Sequence, residues 1–89
     1  MSTRTAVEII LYERPGCCLC EEMFAVVTGL GSEFVLDVKR IDVSQDPSLE
    51  ARFGGEVPVL FVAGRKAFKY RVNPQTLRDR LHRAAVRGT

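Results

Sequence analysis

The chain has 89 residues, of which 46% are hydrophobic and 27% charged, and its net charge is +2. This composition predicts one globular domain over residues 1–89 and is unlike that of a disordered protein. The net charge is too small to argue by itself for a nucleic-acid-binding protein. No apolar run approaches the roughly 20 residues of a membrane-spanning helix, so neither nucleic acid nor a membrane is expected as a partner.

The N-terminal segment and the cysteines bear on the cellular compartment and on the role of the thiols. Residues 1–6 lack the apolar stretch of a signal peptide, so a cytoplasmic location is expected. All three cysteines lie within residues 17–20, too close together for a framework of stabilising disulfides. In a reducing compartment such a cluster is more typical of catalysis or metal binding than of structure.

The first predicted elements are a strand, a short turn and a helix. The apolar run Val7–Tyr12 is typical of a buried strand. After the Pro15-Gly16 turn, a helix is predicted to begin at Cys17 or Cys18. Its apolar positions recur at spacings of three and four and form the predicted buried face: Cys20, Met23, Phe24, Val27 and Leu30. A second strand is predicted at residues 38–43.

Two proline-marked signals predict the remaining helices. Asp46-Pro47 joins a capping side chain to a proline at the first helical position, and Asn73-Pro74 repeats the signal. Between them, strands at residues 57–62 and 66–70 flank a turn at residues 63–65 and form a hairpin. The order is therefore βαβαββα, an α/β sandwich. Its four-stranded sheet is mixed, because the first helix makes strands one and two parallel and the hairpin is antiparallel.

Cys17 and Cys20 form a Cys-x-x-Cys pair at the first strand-to-helix turn. A thiol attacks a disulfide as the thiolate, and unpaired N–H groups at a helix start stabilise an anion. Cys17 is therefore the candidate nucleophile, and Cys20, about one turn deeper, can resolve a mixed disulfide. Arg14 adds positive charge, whereas Glu21 and Glu22 oppose a thiolate, so the sign of the pKa shift at Cys17 stays open.

Other roles for the cysteines remain open. The cluster could be inert or bind a metal, but the one histidine, His82, has no second Cys/His pair beside it in the sequence. A zinc site within one chain is therefore not predicted, and no metal ligands are assigned. An iron–sulfur cluster between two chains, through Cys17 and either Cys18 or Cys20, is the remaining metal alternative. Otherwise Cys18 is expected to be an exposed thiol without a role.

The hairpin strands contain one anomaly. Pro58 lies near the start of a strand that otherwise resembles a central one, where proline removes a ladder donor. The pattern alone favours an edge or first-residue proline over a cis Val57–Pro58 bond, because only about 5–6% of X-Pro bonds are cis. On the next strand, Phe68 and Tyr70 are expected to be core or sheet-face residues.

The chain resembles the glutaredoxins of the thioredoxin-like superfamily, most of all the small glutaredoxin-like proteins with an R-P-G-C-x-L-C motif. The resemblance covers Ile9 to about Ala84 and rests on residues 14–21, 42–47 and 56–64. It implies a thioredoxin-like fold in which we expect strands one and three to be adjacent and parallel. It also implies helices one and three on one sheet face and the short helix on the other.

The resemblance also implies an activity and a set of site residues. The activity is that of a thiol–disulfide oxidoreductase in cell redox homeostasis and electron transport, with Cys17 and Cys20 as the catalytic, redox-active pair. Pro58 is implied to be a cis-proline that faces the cysteines, and the Val57 backbone to pair with the substrate as an added strand. Arg14, Val57 and Pro58 are thus the expected substrate-binding residues. The expected protein is a cofactor-free monomer that acts on a protein disulfide or a low-molecular-weight thiol.

The chain departs from the glutaredoxin pattern where glutathione would bind. Glutaredoxins that use glutathione carry a Gly-Gly pair and an acidic residue before the last helix, where this chain has Tyr70-Arg71-Val72-Asn73. Arg14 could replace the basic residue before the first cysteine. The added bulk and the missing acid predict that glutathione is a weak co-substrate and that a dithiol protein is the better reductant. The alternative function is a thioredoxin-like binding module, or the iron–sulfur carrier, without reductase activity.

Overall fold

A computed structural model of the protein describes residues 6–87, with side chains described up to residue 85. The strands are β1 (Val7–Glu13), β2 (Leu36–Asp42), β3 (Val59–Val62) and β4 (Arg65–Lys69), and the helices are α1 (Cys18–Gly29), α2 (Pro47–Phe53) and α3 (Pro74–Arg87). The predicted βαβαββα order is therefore confirmed. The expectation drawn from the N-terminal segment falls almost wholly on residues 1–5, outside the described residues. Among the described helices, none has the length and apolar character needed to cross a membrane.

The four strands form one mixed sheet, as predicted, and their order in the sheet is β2-β1-β3-β4. β1 is parallel to β2, whereas β3 is antiparallel to both β1 and β4. The expectation that strands one and three are adjacent is right, but the expectation that they are parallel is wrong.

The reversed direction of β3 is set by where the segment before it lies. Residues 43–58 form a 3-10 turn, α2 and a loop, and Phe53 at the end of α2 stacks on Tyr12, so this segment stays at the end of the sheet where β1 and β2 finish. β3 therefore begins at that end, and Val59 pairs there with Tyr12.

The helices cover the two faces of the sheet as predicted, with α1 and α3 on one face and α2 on the other. The first core contains buried residues of β1, α1, β3 and α3, together with Leu30: Val7, Ile9, Leu11, Met23, Val27, Leu30, Leu60, Val62, Leu77 and Leu81. The second is built from Val43, Phe53 and Val59, with Tyr12 and Phe61 packed against them. Tyr12 stacks on Phe53 with ring centroids 4.5 Å apart, so α2 is fixed close to the end of β1.

Side-chain caps set the start of the two proline-marked helices. Asp46 Oδ1 accepts a hydrogen bond of 2.9 Å from the Ser48 N–H at the start of α2. Asn73 Oδ1 accepts from the N–H groups of Gln75 at 2.9 Å and Thr76 at 3.1 Å at the start of α3. Both predicted helix starts are therefore confirmed.

The bounds of all four strands differ from the prediction: β1 ends one residue later and β4 lies one residue earlier, whereas the changes in β2 and β3 have identifiable causes. β2 begins at Leu36 and ends at Asp42, because Asp42 Oδ1 accepts the Ser44 N–H at 2.9 Å and caps a 3-10 turn that begins at Val43. β3 begins at Val59 rather than at residue 57, after a Val57–Pro58 peptide that is cis. The pattern-based preference for a trans proline at the strand start is therefore wrong, and the form implied by the resemblance is present.

Candidate functional site

Cys17 lies at the N-cap of α1, between the β1 end and the first helical turn. Gly16 before it has a φ of +74°, a conformation that glycine adopts without strain, and this turn directs the chain into the helix. The backbone N–H of Cys20 donates to Cys17 Sγ at 3.2 Å. The half-buried sulfur of Cys17 thus occupies the place of a capping oxygen, where a helix start favours negative charge.

Cys20 lies one turn further along α1 and is fully buried, with 0% of its surface exposed. Loss of solvent raises the pKa of Cys20 to about 12, and its hydrogen bond with Cys17 and the charges of Cys17 and Glu13 add to this effect. The Arg14 backbone N–H lowers the same pKa and offsets part of it. The free Cys20 thiol is therefore protonated at neutral pH and shielded from external reagents.

Cys18, the first residue of α1, is exposed. Its exposure agrees with the sequence-based expectation. Neither the core nor the hydrogen bonds of the described side chains involve it, so the structure assigns it no packing role.

Val57 and Pro58 lie at the same end of the sheet as the cysteine turn. Val59 is paired with Tyr12, so residues 57–58 and residues 14–17 leave neighbouring strands side by side. Pro58 is buried, and its carbonyl accepts a 2.8 Å hydrogen bond from the Tyr70 N–H. Within the described part of the chain, neither backbone group of Val57 has a hydrogen-bond partner. Those groups are available to an added strand.

Arg14 is held by α2. Its Nη2 group donates to the Glu50 carboxylate and, at 3.0 Å, to the carbonyl of Gly54. The hydrogen bond with Glu50 is the main reason that the pKa of Arg14 is raised, so the guanidinium is always charged. Sequence reasoning identified Arg14 but missed Glu50, because the two residues are 36 positions apart and neither carries a local signal for the other.

Gly54 allows this close approach. A Cβ atom at position 54 would lie 2.5 Å from the Glu50 carbonyl oxygen and 2.9 Å from Arg14 Nη2. By contrast, a Cβ at Gly55 would meet no atom within 4 Å. Gly54 therefore does more than end α2 together with Gly55, since the absence of a side chain at position 54 leaves room for the Arg14 guanidinium.

Arg40, on β2, joins the end of β1 to the first turn of α1. It forms hydrogen bonds of 2.7 and 2.8 Å with both carboxylate oxygens of Glu13 and one of 3.0 Å with Glu21. Its guanidinium also lies 3.8 Å from the centre of the Phe24 ring. Arg40 thus compensates two negative charges near the cysteines, including Glu21, which by itself opposes a thiolate.

Tyr70 does not lie in the core or on the sheet face, and that expectation is wrong. It follows β4, is 44% exposed and has a φ of +67°. Its hydroxyl donates to the Gly55 carbonyl at 3.1 Å, so the side chain reaches back towards the residues that precede Pro58. Phe68, in contrast, is half-buried against the core as expected.

A cavity of about 130 Å³ separates α1 from the segment between β4 and α3. Its lining is Leu19, Glu22, Val26, Tyr70, Arg71 and Val72. At its rim, Arg71 Nη1 lies 3.7 Å from a Glu22 oxygen, and both side chains are mostly exposed. The segment that sequence reasoning identified as too bulky for a glutathione site thus forms one wall of a small cavity beside the cysteine helix.

Side chains that could share a metal ion do not come together in groups of three or more among the described residues. A metal cluster at Cys17 would therefore need ligands from a second chain or from a small molecule. The geometry of the described site is that of two thiols, a nearby arginine and an unpaired backbone segment.

The arrangement of these elements agrees with the comparison against known families. The profile of the glutaredoxin-like domain (DUF836) matches residues 8–82. The chain belongs to this family. Two relatives of this glutaredoxin-like protein are the uncharacterized proteins Rv0508 of Mycobacterium tuberculosis and Mb0520 of Mycobacterium bovis. Each is 30% identical to it over 82 residues, which cover 86% of this chain and 84% of the relative.

Solved structures show that the glutaredoxin-like protein has a thioredoxin-like fold. Protein Ne2328 of Nitrosomonas europaea matches with a TM-score of 0.77 and 24% identity, over 91% of this chain and 98% of that protein. A mutant thioredoxin of Halobacterium salinarum matches with a TM-score of 0.64 and 23% identity, over 91% and 76% of the two chains. Family and fold together support a redox-type, thiol-related role.

Proposed function

We propose that this glutaredoxin-like protein is a thiol–disulfide oxidoreductase in which Cys17 is the nucleophile and Cys20 the resolving thiol. The observation that carries the proposal is the unequal environment of the two sulfurs. Cys17 is half-buried at a helix start, where its sulfur accepts a hydrogen bond from the Cys20 N–H. Cys20, in contrast, is fully buried and its pKa is raised. Only the first sulfur can meet an external disulfide.

The reaction follows from this inequality in two exchanges. The Cys17 thiolate attacks one sulfur of a substrate disulfide, forms a mixed disulfide and releases the other sulfur as a thiolate, which takes a proton from water. Cys20 then attacks Cys17 Sγ, and its proton passes to the departing second substrate sulfur. The Cys17–Cys20 disulfide forms, the second substrate sulfur leaves, and the substrate has gained two electrons. An external thiol or dithiol returns the protein to its reduced form.

Substrate binding is proposed to use the open backbone of Val57. An extended segment that pairs with Val57 would lie beside Pro58 and bring its own disulfide towards Cys17. Arg14 supplies positive charge on the same side of the site, and Val57, Pro58 and Arg14 are therefore the proposed substrate-binding residues. This binding mode favours a disulfide within a protein over a small molecule, because a peptide segment can form backbone hydrogen bonds on both sides of its cysteine.

The reductant is proposed to be a dithiol protein rather than glutathione. At the start of α3, Asn73 offers an amide that already caps the helix, and no acidic side chain lies at that position to pair with an amino group. Losing a charged partner weakens binding roughly ten- to a hundredfold. We also propose that the protein is a monomer and is located in the cytoplasm.

The experiment is a set of three cysteine variants tested for reduction of insulin and of a fluorescent peptide disulfide, with dithiothreitol as the electron source. Cys17→Ser should lose the activity. Cys20→Ser should accumulate a mixed disulfide at Cys17 that mass spectrometry detects. Cys18→Ser is the matched control, an adjacent exposed thiol, and should behave as the wild type.

A wild-type protein that accelerates the reduction of none of these disulfides would contradict the proposal. Anaerobic reconstitution with iron and sulfide would then separate the two remaining alternatives. A visible absorbance band would indicate the iron–sulfur carrier, and its absence would leave the binding module.

A further inference from the structure

The cation nearest in sequence to Cys17 is already paired within the protein. Arg14 lies three residues before Cys17 and interacts with it electrostatically. Its Nη2 group, however, donates to the Glu50 carboxylate and to the Gly54 carbonyl. A substrate that carries its own carboxylate would therefore meet an Arg14 guanidinium whose Nη2 group is already hydrogen-bonded within the protein.

On the basis of the proposed function, we infer that Glu50 is a specificity-determining residue that disfavours carboxylate-bearing thiols. Glu50 acts through Arg14 and is therefore a positioning residue. A carboxylate on a small thiol can form a two-hydrogen-bond contact with the Arg14 guanidinium, through Nη1 and Nη2 or through Nε and Nη2, only by displacing the Glu50 carboxylate from Nη2. Glu50 is tethered in place and so competes at a high effective concentration. An uncharged thiol, or a protein dithiol that binds through its backbone, does not depend on this exchange.

The Arg14–Glu50 ion pair is exposed enough for a ligand carboxylate to compete with Glu50. The side chains of Arg14 and Glu50 are 38% and 39% exposed, so both are in contact with solvent and a ligand carboxylate can approach. An ion pair at this exposure contributes little to folding. Removing the charge of Glu50 should therefore leave the fold intact and free the Arg14 Nη2 donor for a ligand carboxylate, with Asp42 as the remaining carboxylate that interacts with Arg14.

The reaction that reports this competition is the reduction of the oxidised protein by a monothiol. A thiolate attacks Cys17 Sγ of the Cys17–Cys20 disulfide, the new mixed disulfide forms, and Cys20 leaves and takes up a proton. A second thiolate then attacks the sulfur of the bound thiol, which releases Cys17 and a small disulfide. For a thiol that carries a carboxylate, the rate of the first step depends on whether that carboxylate can bind Arg14.

The experiment compares glutathione with its monoethyl ester, which lacks the charge of the glycine carboxylate. Second-order rates of reduction of the oxidised protein are measured by mass spectrometry for the wild type, for Glu50→Gln and for Glu50→Ala. We expect the ratio of the glutathione rate to the ester rate to rise about tenfold in both variants, the effect of gaining one charged hydrogen bond. Arg14→Gln in the Glu50→Gln background should cancel the rise.

Glu56→Gln is the matched control. Glu56 is another partly exposed carboxylate, paired at 2.6 Å with Lys66 and not with Arg14, so its variant should leave the ratio unchanged. Three results would each overturn the inference: an equal rise in the rates of both thiols, an unchanged ratio of the two rates, or Glu50 variants that do not fold. If no Cys17–Cys20 disulfide forms on oxidation, the proposed function itself fails. An unchanged ratio in a protein that does form it overturns only the role of Glu50.

Discussion

The backbone N–H of Cys20 donates a hydrogen bond to the sulfur of Cys17 at 3.2 Å. The two thiols of the site are therefore connected through the first turn of α1, and a change in the charge of one sulfur is felt by the other. This connection places the reactive sulfur on a helix start and keeps its partner one turn deeper.

The stability of the reduced protein should fall at alkaline pH because of Cys20. The pKa of this thiol is raised to about 12 in the folded state, so the unfolded chain loses the proton first as the pH rises above about 9. The contribution is complete below pH 9 and is lost between about pH 9 and 12, by at most about 1.4 kcal/mol per pH unit. Urea unfolding at pH 8.0 to 10.5, with a phosphine reductant, measures the effect.

Cys20→Ser provides the comparison for this pH dependence. Other titrating groups are common to both proteins, so the free energy of unfolding should decline more steeply in the wild type than in the variant. Parallel curves would show that the Cys20 thiol ionises at its ordinary pKa in the folded protein.

Gly54→Ala should destabilise the protein by about 1–3 kcal/mol, the usual cost of forcing an extra methyl group into a packed position. The new Cβ would lie 2.5 Å from the Glu50 carbonyl and crowd the Arg14 guanidinium. Gly55→Ala is the control, because a Cβ there has open space and φ is not in the left-handed region. It should be neutral or stabilise by up to about 1 kcal/mol. Chemical denaturation of both variants checks the difference, and equal stabilities would show that position 54 can relax.

Tyr70 should be more easily replaced by glycine than by alanine. Both changes remove the side chain and its hydrogen bond to the Gly55 carbonyl, but alanine keeps the cost of a φ of +67°. We expect Tyr70→Gly to be about 1 kcal/mol more stable than Tyr70→Ala in urea unfolding. If the two variants unfold at the same urea concentration, the backbone at this position has changed conformation.

Asn73→Asp should strengthen glutathione binding. The resemblance to glutaredoxins places the amino group of glutathione at the start of the last helix, and aspartate would add the missing charge while keeping the cap. We expect affinity to rise by about tenfold in a calorimetric titration of the reduced protein. Asn73→Ser keeps a capping oxygen without the charge and should bind as the wild type does. Tight binding by the wild type itself would contradict the preference for a dithiol reductant.

Local signals were sufficient for much of the fold. Asp46-Pro47 and Asn73-Pro74 predicted their helix starts because a cap and a proline act within three residues of each other. The direction of β3 was predicted wrongly, since it depends on the path of the whole segment before it and not on any residue in the strand. The positions of Cys17 and Cys20 on α1 followed from spacing alone.

The parts of the site that sequence reasoning missed are long-range contacts. Arg14 was identified as a charge near the cysteines, but its pairing with Glu50 needed the position of α2 on the sheet. Tyr70 was assigned to the sheet because it ends the fourth strand predicted at residues 66–70. Its left-handed backbone and its hydrogen bond to Gly55 depend on a loop 15 residues away.

The sheet order has a consequence for local unfolding. β1 leads into the cysteine turn and β3 follows Pro58, and these two strands are the inner pair of the sheet, whereas β2 and β4 are its edges. Opening of an edge strand removes one ladder and leaves the pairing of Tyr12 with Val59 in place. Amide hydrogens within the β1–β3 ladder should therefore exchange with the slowest class in the protein, and local opening at the edge strands should leave Cys17 and Val57 at the same end of the sheet.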